Sequence, residues 1–508
     1  MSLLLATYAS IACGLLYLVR VFSDRHRCMS DIPTVGGPSL PIFSYIGAIR
    51  SLVDAANIIQ DGYAKYKNHC FKYAELGYWC VLVTSPAAVE ELARAPEDVV
   101  SFSAAAIDLV QIPYTLGPNI ARDPYHIRVL RTRLMRNVPR IIDDLRDEIV
   151  CTFNDKIRIA DSGNSNEWVS IGLKDVAFQS VCRAANRIFV GLPVCRDPDY
   201  IAVNEGFTMD VVVGSTLIKL FPSFLKPFVA KFCTNIPRSV DRVVHHLEPI
   251  IKERLLRAAM DVKPHYADDE EDNPSDLLQW LIEGAQESTE RTVSALALRV
   301  LVVNFAALHT TSTVLTHSLS YLAAYPEHAA SLRDEVDRVV QADGWSKAAV
   351  GNMCLVDSFL KEVGRVTGLG AISINRKTVQ DYTISDGTFI PKGTFLAAAA
   401  RPIHFDGEHY ANPDVFDPWR FVNGGGKDHM IKTSDHYLLW GHGRHACPGR
   451  FFAATMLKLI LAHVVMTYDV RSLDGVAAHA TPPPTWISAS MIPNRKAKVL
   501  FRERQPKR

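Results

Sequence analysis

The sequence predicts a mainly α-helical domain with small β-sheets, and three observations lead there. Helical periodicity dominates from Leu173 to Gln341, and a second helical run covers Arg122 to about Asn154 with a break near Pro139. The longest helix candidate runs from about Thr289 to Ala324 and stops before Pro326; its middle, Leu301 to Leu308, is apolar on nearly every side, as in a helix buried inside a large protein. Strand-like segments are short and scattered. Phe71 to Thr84 reads as a hairpin turning at Gly77, Arg376 to Ile384 and Thr388 to Thr394 follow, and the stretch holding Pro482, Pro483 and Pro484 is β-rich.

The 508 residues would allow about three domains by length alone. No composition break or internal repeat supports that division, and 48 % hydrophobic residues suffice for one large core. The chain therefore divides into an anchor (1–22), a basic and Pro/Gly-rich linker (23–45) and one large domain (46–508). Leu3 to Val19 carries no charge, and Arg20, Arg25, His26 and Arg27 follow it. Extended to Phe22, the stretch reaches the low end of a bilayer span. Basic residues on its C-terminal side place the rest of the chain in the cytosol. A cleaved signal peptide would have its positive charge before the apolar run. The segment from Ile32 to Pro41 is too rich in Pro and Gly for helix and reads as a stiff connector or an ordinary loop.

The net charge of +1 gives no ground for a nucleic-acid partner. The 10 cysteines are scattered without a C-x-x-C pair, which suits free thiols in a reducing compartment and argues against a zinc finger or iron–sulfur centre. A site using one thiolate remains open. Asp268 to Asp272 reads as a solvated loop, and Gly424, Gly425 and Gly426 as a flexible linker rather than a nucleotide loop.

Two polar features stand out within the helices. His309-Thr310-Thr311-Ser312-Thr313 interrupts the long apolar helix. Such hydroxyls commonly bond the carbonyl one turn back, so the cluster alone decides nothing. Glu362 and Arg365 share a helix face at i, i+3, which is a common pairing. Asn412 to Ser434 is loop-rich, and a last helix starts after Pro448 and runs to about Tyr468.

The strongest signal is Trp440-Gly441-His442-Gly443-Arg444-His445-Ala446-Cys447-Pro448-Gly449-Arg450. Glycines let the backbone turn tightly and approach a flat ligand. Pro448 suits the start of a helix, where a thiolate gains from the dipole and unpaired N–H groups. Out of context, Cys447 would more commonly be a buried structural thiol. The loop is similar to the haem-binding signature F-x-x-G-x-R-x-C-x-G of the cytochrome P-450 superfamily: Gly443, Cys447 and Gly449 match, Trp440 replaces the Phe and His445 the Arg. Glu362 and Arg365 match the family's E-x-x-R helix. Phe416-Asp417-Pro418-Trp419-Arg420-Phe421 resembles its P-E-R-F segment with Trp419 for Glu. Ala306 to Thr311 resembles its oxygen-activation motif.

The resemblance implies a cytochrome P-450 fold with an N-terminal transmembrane helix, haem b, and Cys447 as the axial ligand of its iron. It implies Glu362, Arg365 and Arg420 as a structural lock, and Thr310 on the oxygen side. His309 stands where the family usually has an acid that relays protons, and is expected to relay protons or set the water network. His445, Arg444 and Arg376 are the expected cations for the haem propionates, with Trp440, Gly443 and Gly449 shaping the cradle. His126 and Arg131 fall near the family's W-x-x-x-R helix but at a different spacing, and Arg131 reads equally as part of a solvated basic face.

With no flavin domain, electrons are expected from NADPH through a separate NADPH–cytochrome reductase of the endoplasmic reticulum. The basic run Arg128, Arg131, Arg133, Arg136 and Arg140 is its expected docking face. Leu217 to Phe232, with four phenylalanines and three lysines, reads either as dipping into the membrane surface or as buried under another helix. Apolar pocket candidates (Ala104 to Thr115, Val211 to Thr216, Val302 to Ala306, Gly368 to Ser373, Ser488 to Met491) imply a lipophilic substrate. The expected activity is monooxygenation in fungal secondary metabolism, similar to terpenoid and indole-diterpenoid oxygenases. A reductase-independent isomerase or dehydratase and a non-catalytic haem sensor are the alternatives.

Overall fold

A computed structural model describes residues 29–40, 43–157, 167–219, 221–260, 275–422 and 428–504. The anchor at 1–22, the acidic run Asp268–Asp272 and Gly424–Gly426 lie outside the described residues.

The fold grows around one helix. α1 (Ser44–Lys65) and α2 (Pro86–Arg94) precede α3 (Phe102–Val110), and α4 (Ile142–Lys156) leads to α5 (Leu173–Phe189). α6 (Pro198–Lys219), α7 (Lys226–Phe232) and α8 (Ile236–Ala259) then lead to α9 (Val293–Ala324). α10 (Ala329–Asp343), α11 (Cys354–Thr367) and α12 (Arg450–Thr467) complete the set. α9 packs against α5, α6, α8, α11 and α12, which is why its sequence is apolar all round. Between Leu296 and Ala324 only Ala306 and Thr310 are exposed. The helix begins at Val293 rather than near Thr289 because Thr292 caps it, its hydroxyl accepting from the Ala295 N–H at 3.3 Å; Ser288–Glu290 forms a separate 3₁₀ turn.

Among the described residues, three helices are long and apolar enough to cross a membrane by composition: α6, α9 and α12. In α9 and α12 the apolar residues build the domain's own core, with Leu301, Leu315, Leu457 and Ile460 fully buried.

A six-stranded sheet runs β1 (Thr34–Val35), β2 (Phe71–Glu75), β3 (Tyr78–Val83), β7 (Phe395–Ala398), β6 (Ser373–Thr378) and β4 (Val100–Ser101). The hairpin at Gly77 forms as expected, with Phe71 opposite Leu82 and Gly77 at φ +89°. Two expectations are corrected. The strand placed at Arg376 to Ile384 starts at Ser373 and ends at Thr378, with Tyr382–Thr383 pairing separately against Phe389–Ile390. β7 went unrecognised because Phe-Leu-Ala-Ala, buried on both faces between neighbours, shows no alternation. The Pro/Gly-rich stretch is more than a spacer, since Ile32 is buried and Thr34 pairs with Lys72. A second sheet orders β8 (Tyr468–Arg471), β9 (Lys498–Glu503) and β5 (Val169–Gly172).

For the site, the decisive pairing is β4 on β6. Ser101 lies opposite Lys377, so Phe102, the first residue of α3, comes down beside Arg376.

Candidate functional site

The cysteine loop is held from four sides. Inside it, the Cys447 N–H donates to the Trp440 carbonyl at 2.8 Å. Behind it, the Trp440 indole donates to the Met430 carbonyl at 2.6 Å, and Arg450 donates to Ile431 and to the Cys447 carbonyl. Toward α2, His442 spans Glu90 (2.6 Å) and Thr433 (3.0 Å). Gly443 presses on the end of α2 at φ +71°; a Cβ there would stand 2.5 Å from the Ala93 carbonyl oxygen. From the fourth side Arg131 donates to the Arg444 carbonyl at 3.1 Å.

Cys447 is partly buried, three residues ahead of α12. Burial raises its pKa, while the Gly449 and Arg450 amides and the Arg450 charge favour the thiolate. The help expected from a helix N-terminus is therefore present in direction, and in the protein alone desolvation outweighs it.

Next to the loop lies a cavity of about 210 Å³, lined among others by Phe102, Gly370, Arg376, Gly441, His442 and His445. Arg376 is almost fully buried, and its Nη1 donates to the Asn375 carbonyl at 3.0 Å. Among the described residues its Nε and Nη2 have no hydrogen-bond partner. Burial pulls its pKa down to about 10, with Glu97 opposing. A buried guanidinium with two idle nitrogens beside a cavity is shaped for an anion.

His445 stacks on the Phe102 ring (5.2 Å, 26°). Its Nε2 lies 3.1 Å from Glu97, within ion-pair range but not aligned as a hydrogen bond. Burial lowers its pKa and Arg376 adds to the effect. Glu97 belongs to no motif and joins the site only through the fold. Burial pushes its carboxyl upward, but Ser103, Ser101 and the Phe102 N–H outweigh that and hold it at about 2.

The other expected residues are dispersed. The Arg444 side chain is exposed, and only its carbonyl is used. Arg131 reaches the cysteine loop despite its irregular spacing from His126: a π-helical turn at Leu130–Leu134 holds one residue more per turn than an α-helix. His126 sits in a buried cluster instead, its Nδ1 3.1 Å from Arg299, which pairs with Glu290. Burial, then Arg299, brings its pKa to about 4. Apart from its chain neighbours, a Cβ on Gly449 would meet nothing among the described residues within 4 Å, which leaves the space beside Cys447 open.

On α9 the Thr310 hydroxyl donates to the Ala306 carbonyl at 2.9 Å. His309 turns away toward α5 and α6: its Nε2 bonds the Glu205 carbonyl at 3.0 Å and its ring lies 5.1 Å from Phe178. Below the site, Arg365 makes two 2.8 Å bonds to Glu362, and Arg420 adds bonds at 3.1 Å. Trp419, in place of the usual Glu, packs edge-on against His328.

The model of the Cytochrome P450 family matches residues 35–501. The chain belongs to the cytochrome P450 family. Its curated relatives include cytochrome P450 monooxygenase 71 of Postia placenta, 41 % identical over 497 residues that cover 97 % of this chain and 96 % of the relative. They also include cytochrome P450 monooxygenase CYP512U6 of Ganoderma lucidum, 33 % identical and covering 98 % and 96 %. Among solved P450 structures, retinoic acid-bound cyanobacterial CYP120A1 superposes with a TM-score of 0.65 over 89 % of this chain and 97 % of that one, at 18 % identity. The P450 family implies haem with a thiolate ligand. The idle nitrogens of Arg376 and the open space at Gly449 fit such a group.

Proposed function

We propose that this P450 monooxygenase oxidises a lipophilic small molecule of fungal secondary metabolism, a terpenoid by preference, with electrons from NADPH delivered by a separate reductase. The observation that carries this reading is on α9: the two positions exposed between Leu296 and Ala324, Ala306 and Thr310, share one face at i, i+4.

Cys447 would supply the thiolate, and bound haem would supply oxygen activation, which the sulfur assists by pushing electron density onto iron. Arg376 and His445 would meet the propionates, Arg376 through the two nitrogens it leaves idle. Trp440 and Gly443 fix the loop's path. Thr310 would hold a proton at Oγ1, which now rests on the Ala306 carbonyl and is free to turn toward the open face. The segment Gly368 to Ser373, which lines the cavity with Leu369 and Ile372, and the exposed Ala306 would offer an apolar wall that orients substrate and excludes water.

The N-terminal segment 1–22 would anchor the protein in the endoplasmic reticulum with the domain in the cytosol. The phenylalanines of the Leu217–Phe232 segment support contact with the bilayer: Phe224, Phe228 and Phe232 are exposed, Phe224 at 80 %. Exposed Ile46, Ile49 and Val53 of α1 add a second apolar face.

The test is NADPH and oxygen consumption with product analysis in reductase-containing microsomes fed lipophilic candidates. The reading expects reductase-dependent product carrying one oxygen from O₂. Turnover without reductase, or haem binding without turnover on any of them, would overturn it.

A further inference from the structure

His309 occupies the place from which a proton relay to Thr310 would be expected, yet its geometry is that of a fastener. A side chain that relays protons must receive at one ring nitrogen and release at the other. Here Nε2 lies 3.0 Å from the Glu205 backbone carbonyl. A carbonyl oxygen only accepts, so the proton sits on Nε2 and is committed to an atom that cannot pass it on. The ring is held in that orientation by Phe178 of α5, 5.1 Å away. Burial disfavours the imidazolium, which agrees with a neutral ring donating one hydrogen bond.

The acceptor is itself fixed. Glu205 lies within α6, and its carboxylate pairs with Lys174 of α5 at 2.7 Å. One residue of α6 is thus gripped twice, by Lys174 on its side chain and by His309 on its backbone. The neighbouring turns repeat the contact between the same helices: Asn304 of α9 donates to Asn186 of α5 at 2.9 Å and reaches the Tyr200 hydroxyl of α6 at 3.4 Å, and Phe207 meets Phe305 edge-on at 6.3 Å. His309 is the last polar tie in this series, and Thr310 follows it directly.

We propose that His309 is a positioning residue: its Nε2–H clasps α6 to α9 beside Thr310 and fixes the spacing of the two helices there, and it does not carry protons. The effect on catalysis rests on the proposed role of Thr310; the clasp itself does not.

Two substitutions separate the alternatives in the full-length, haem-loaded protein. His309→Gln keeps an N–H donor of comparable reach but has no titratable proton. His309→Phe keeps the ring against Phe178 and loses the donor. The first readout is amide hydrogen exchange along α6 around Glu205 to Val213. The clasp predicts exchange about 5-fold faster in His309→Phe, the net worth of one hydrogen bond, and near wild type in His309→Gln. The second is coupling of NADPH to product and its solvent isotope effect. The clasp predicts both preserved in His309→Gln, with coupling reduced in His309→Phe. Unchanged α6 exchange in both variants, or a His309→Gln protein that uncouples with a raised solvent isotope effect, would overturn the proposal. Should His309→Phe fail to fold, His309→Gln decides alone, because only a relay loses its carrier there. Should the wild-type protein make no product, the proposed function falls while hydrogen exchange still decides the clasp.

Discussion

Glu362 and Arg365 are joined by two 2.8 Å hydrogen bonds, and neither side chain has any exposed surface. Arg420 shares the same carboxylate, and the Arg365 Nη1 donates to the His404 carbonyl at 2.7 Å. Glu362 therefore pairs with two guanidinium groups at once and balances the charge of one. Removing one partner of a buried pair leaves an uncompensated charge and costs about 3–5 kcal/mol. Glu362→Gln should destabilise the domain by that amount in denaturant unfolding. A loss below about 1 kcal/mol would show that the backbone carbonyls around Arg365 and Arg420 suffice to hold them.

Two glycines of the cysteine loop should behave oppositely. Gly443 has φ +71°, and a Cβ would collide with the Ala93 carbonyl at 2.5 Å. Gly443→Ala should cost roughly 2–3 kcal/mol of apoprotein stability through strain and clash. Gly449 has ordinary backbone angles and nothing within 4 Å of a Cβ. Gly449→Ala should leave apoprotein stability within about 0.5 kcal/mol while lowering haem uptake. Unfolding of both apoproteins, paired with haem titration, checks the contrast; equal stability losses would contradict it.

Arg376 should show a trade between stability and cofactor retention. Its Nε and Nη2 are buried without partners, so the apoprotein bears a desolvated charge for which it makes no return. Arg376→Met removes that charge at similar volume and should leave the apoprotein as stable or about 1–2 kcal/mol more stable. The same change should speed haem loss about 10-fold, measured by transfer to a haem scavenger. A variant that was destabilised with haem loss unchanged would show a structural arginine instead.

Acid should unfold the domain through its buried histidines. Burial brings His317 and His463 to about 4 and His404 to about 3, and His126 lies at about 4 for the reason given above. The unfolded chain binds these protons near pH 6.5, so between about 6.5 and 4 it holds more protons than the native state. Stability then falls as pH falls, by up to about 1.4 kcal/mol per pH unit for each such histidine, and is unaffected by them above 7. His317 is the cleanest probe because burial alone lowers its pKa and its Nε2 has no hydrogen-bond partner among the described residues. His317→Met should reduce proton uptake on unfolding between pH 6 and 5 by about one proton. An unchanged slope would place the acid sensitivity elsewhere.

The helices and the cysteine loop were legible because their signals are local. The apolar run that becomes α9, the Gly77 turn and the glycines around Cys447 each lie within a few residues of one another. The groups around the cavity were not legible for the converse reason. Glu97 sits 348 positions from His445 and is indistinguishable in sequence from a surface acid; only the pairing of β4 with β6 brings Phe102 and Glu97 to Arg376 and His445. Arg131 looked misplaced because a straight α-helical count cannot anticipate the π-turn at Leu130–Leu134. His309 stands out in the sequence, but its direction is set by Phe178 of α5 and the Glu205 carbonyl of α6, which lie far from it in the chain.

The basic segment after His126 offers the last prediction. Arg128, Arg131, Arg133, Arg136 and Arg140 are all exposed, but not equally available. Arg131 is committed to the Arg444 carbonyl, and Arg133 lies 3.4 Å from Glu283. Arg128 and Arg136 are thus the better candidates for steering an acidic reductase, while Arg131 couples the same face to the cysteine loop. Steering acts over a Debye length of about 8 Å at physiological salt and weakens as salt rises. Arg128→Glu and Arg136→Glu should each slow first-electron transfer several-fold at low ionic strength, with the difference from wild type shrinking toward high salt. Haem content should be unchanged in both. Arg131→Glu should slow reduction and also loosen haem, because it removes the bond to Arg444. Stopped-flow reduction under carbon monoxide across a salt series, with haem content measured in parallel, separates the two effects. Reduction rates independent of ionic strength in the wild-type protein would remove this face from consideration, since no charge-steered encounter can be blind to screening.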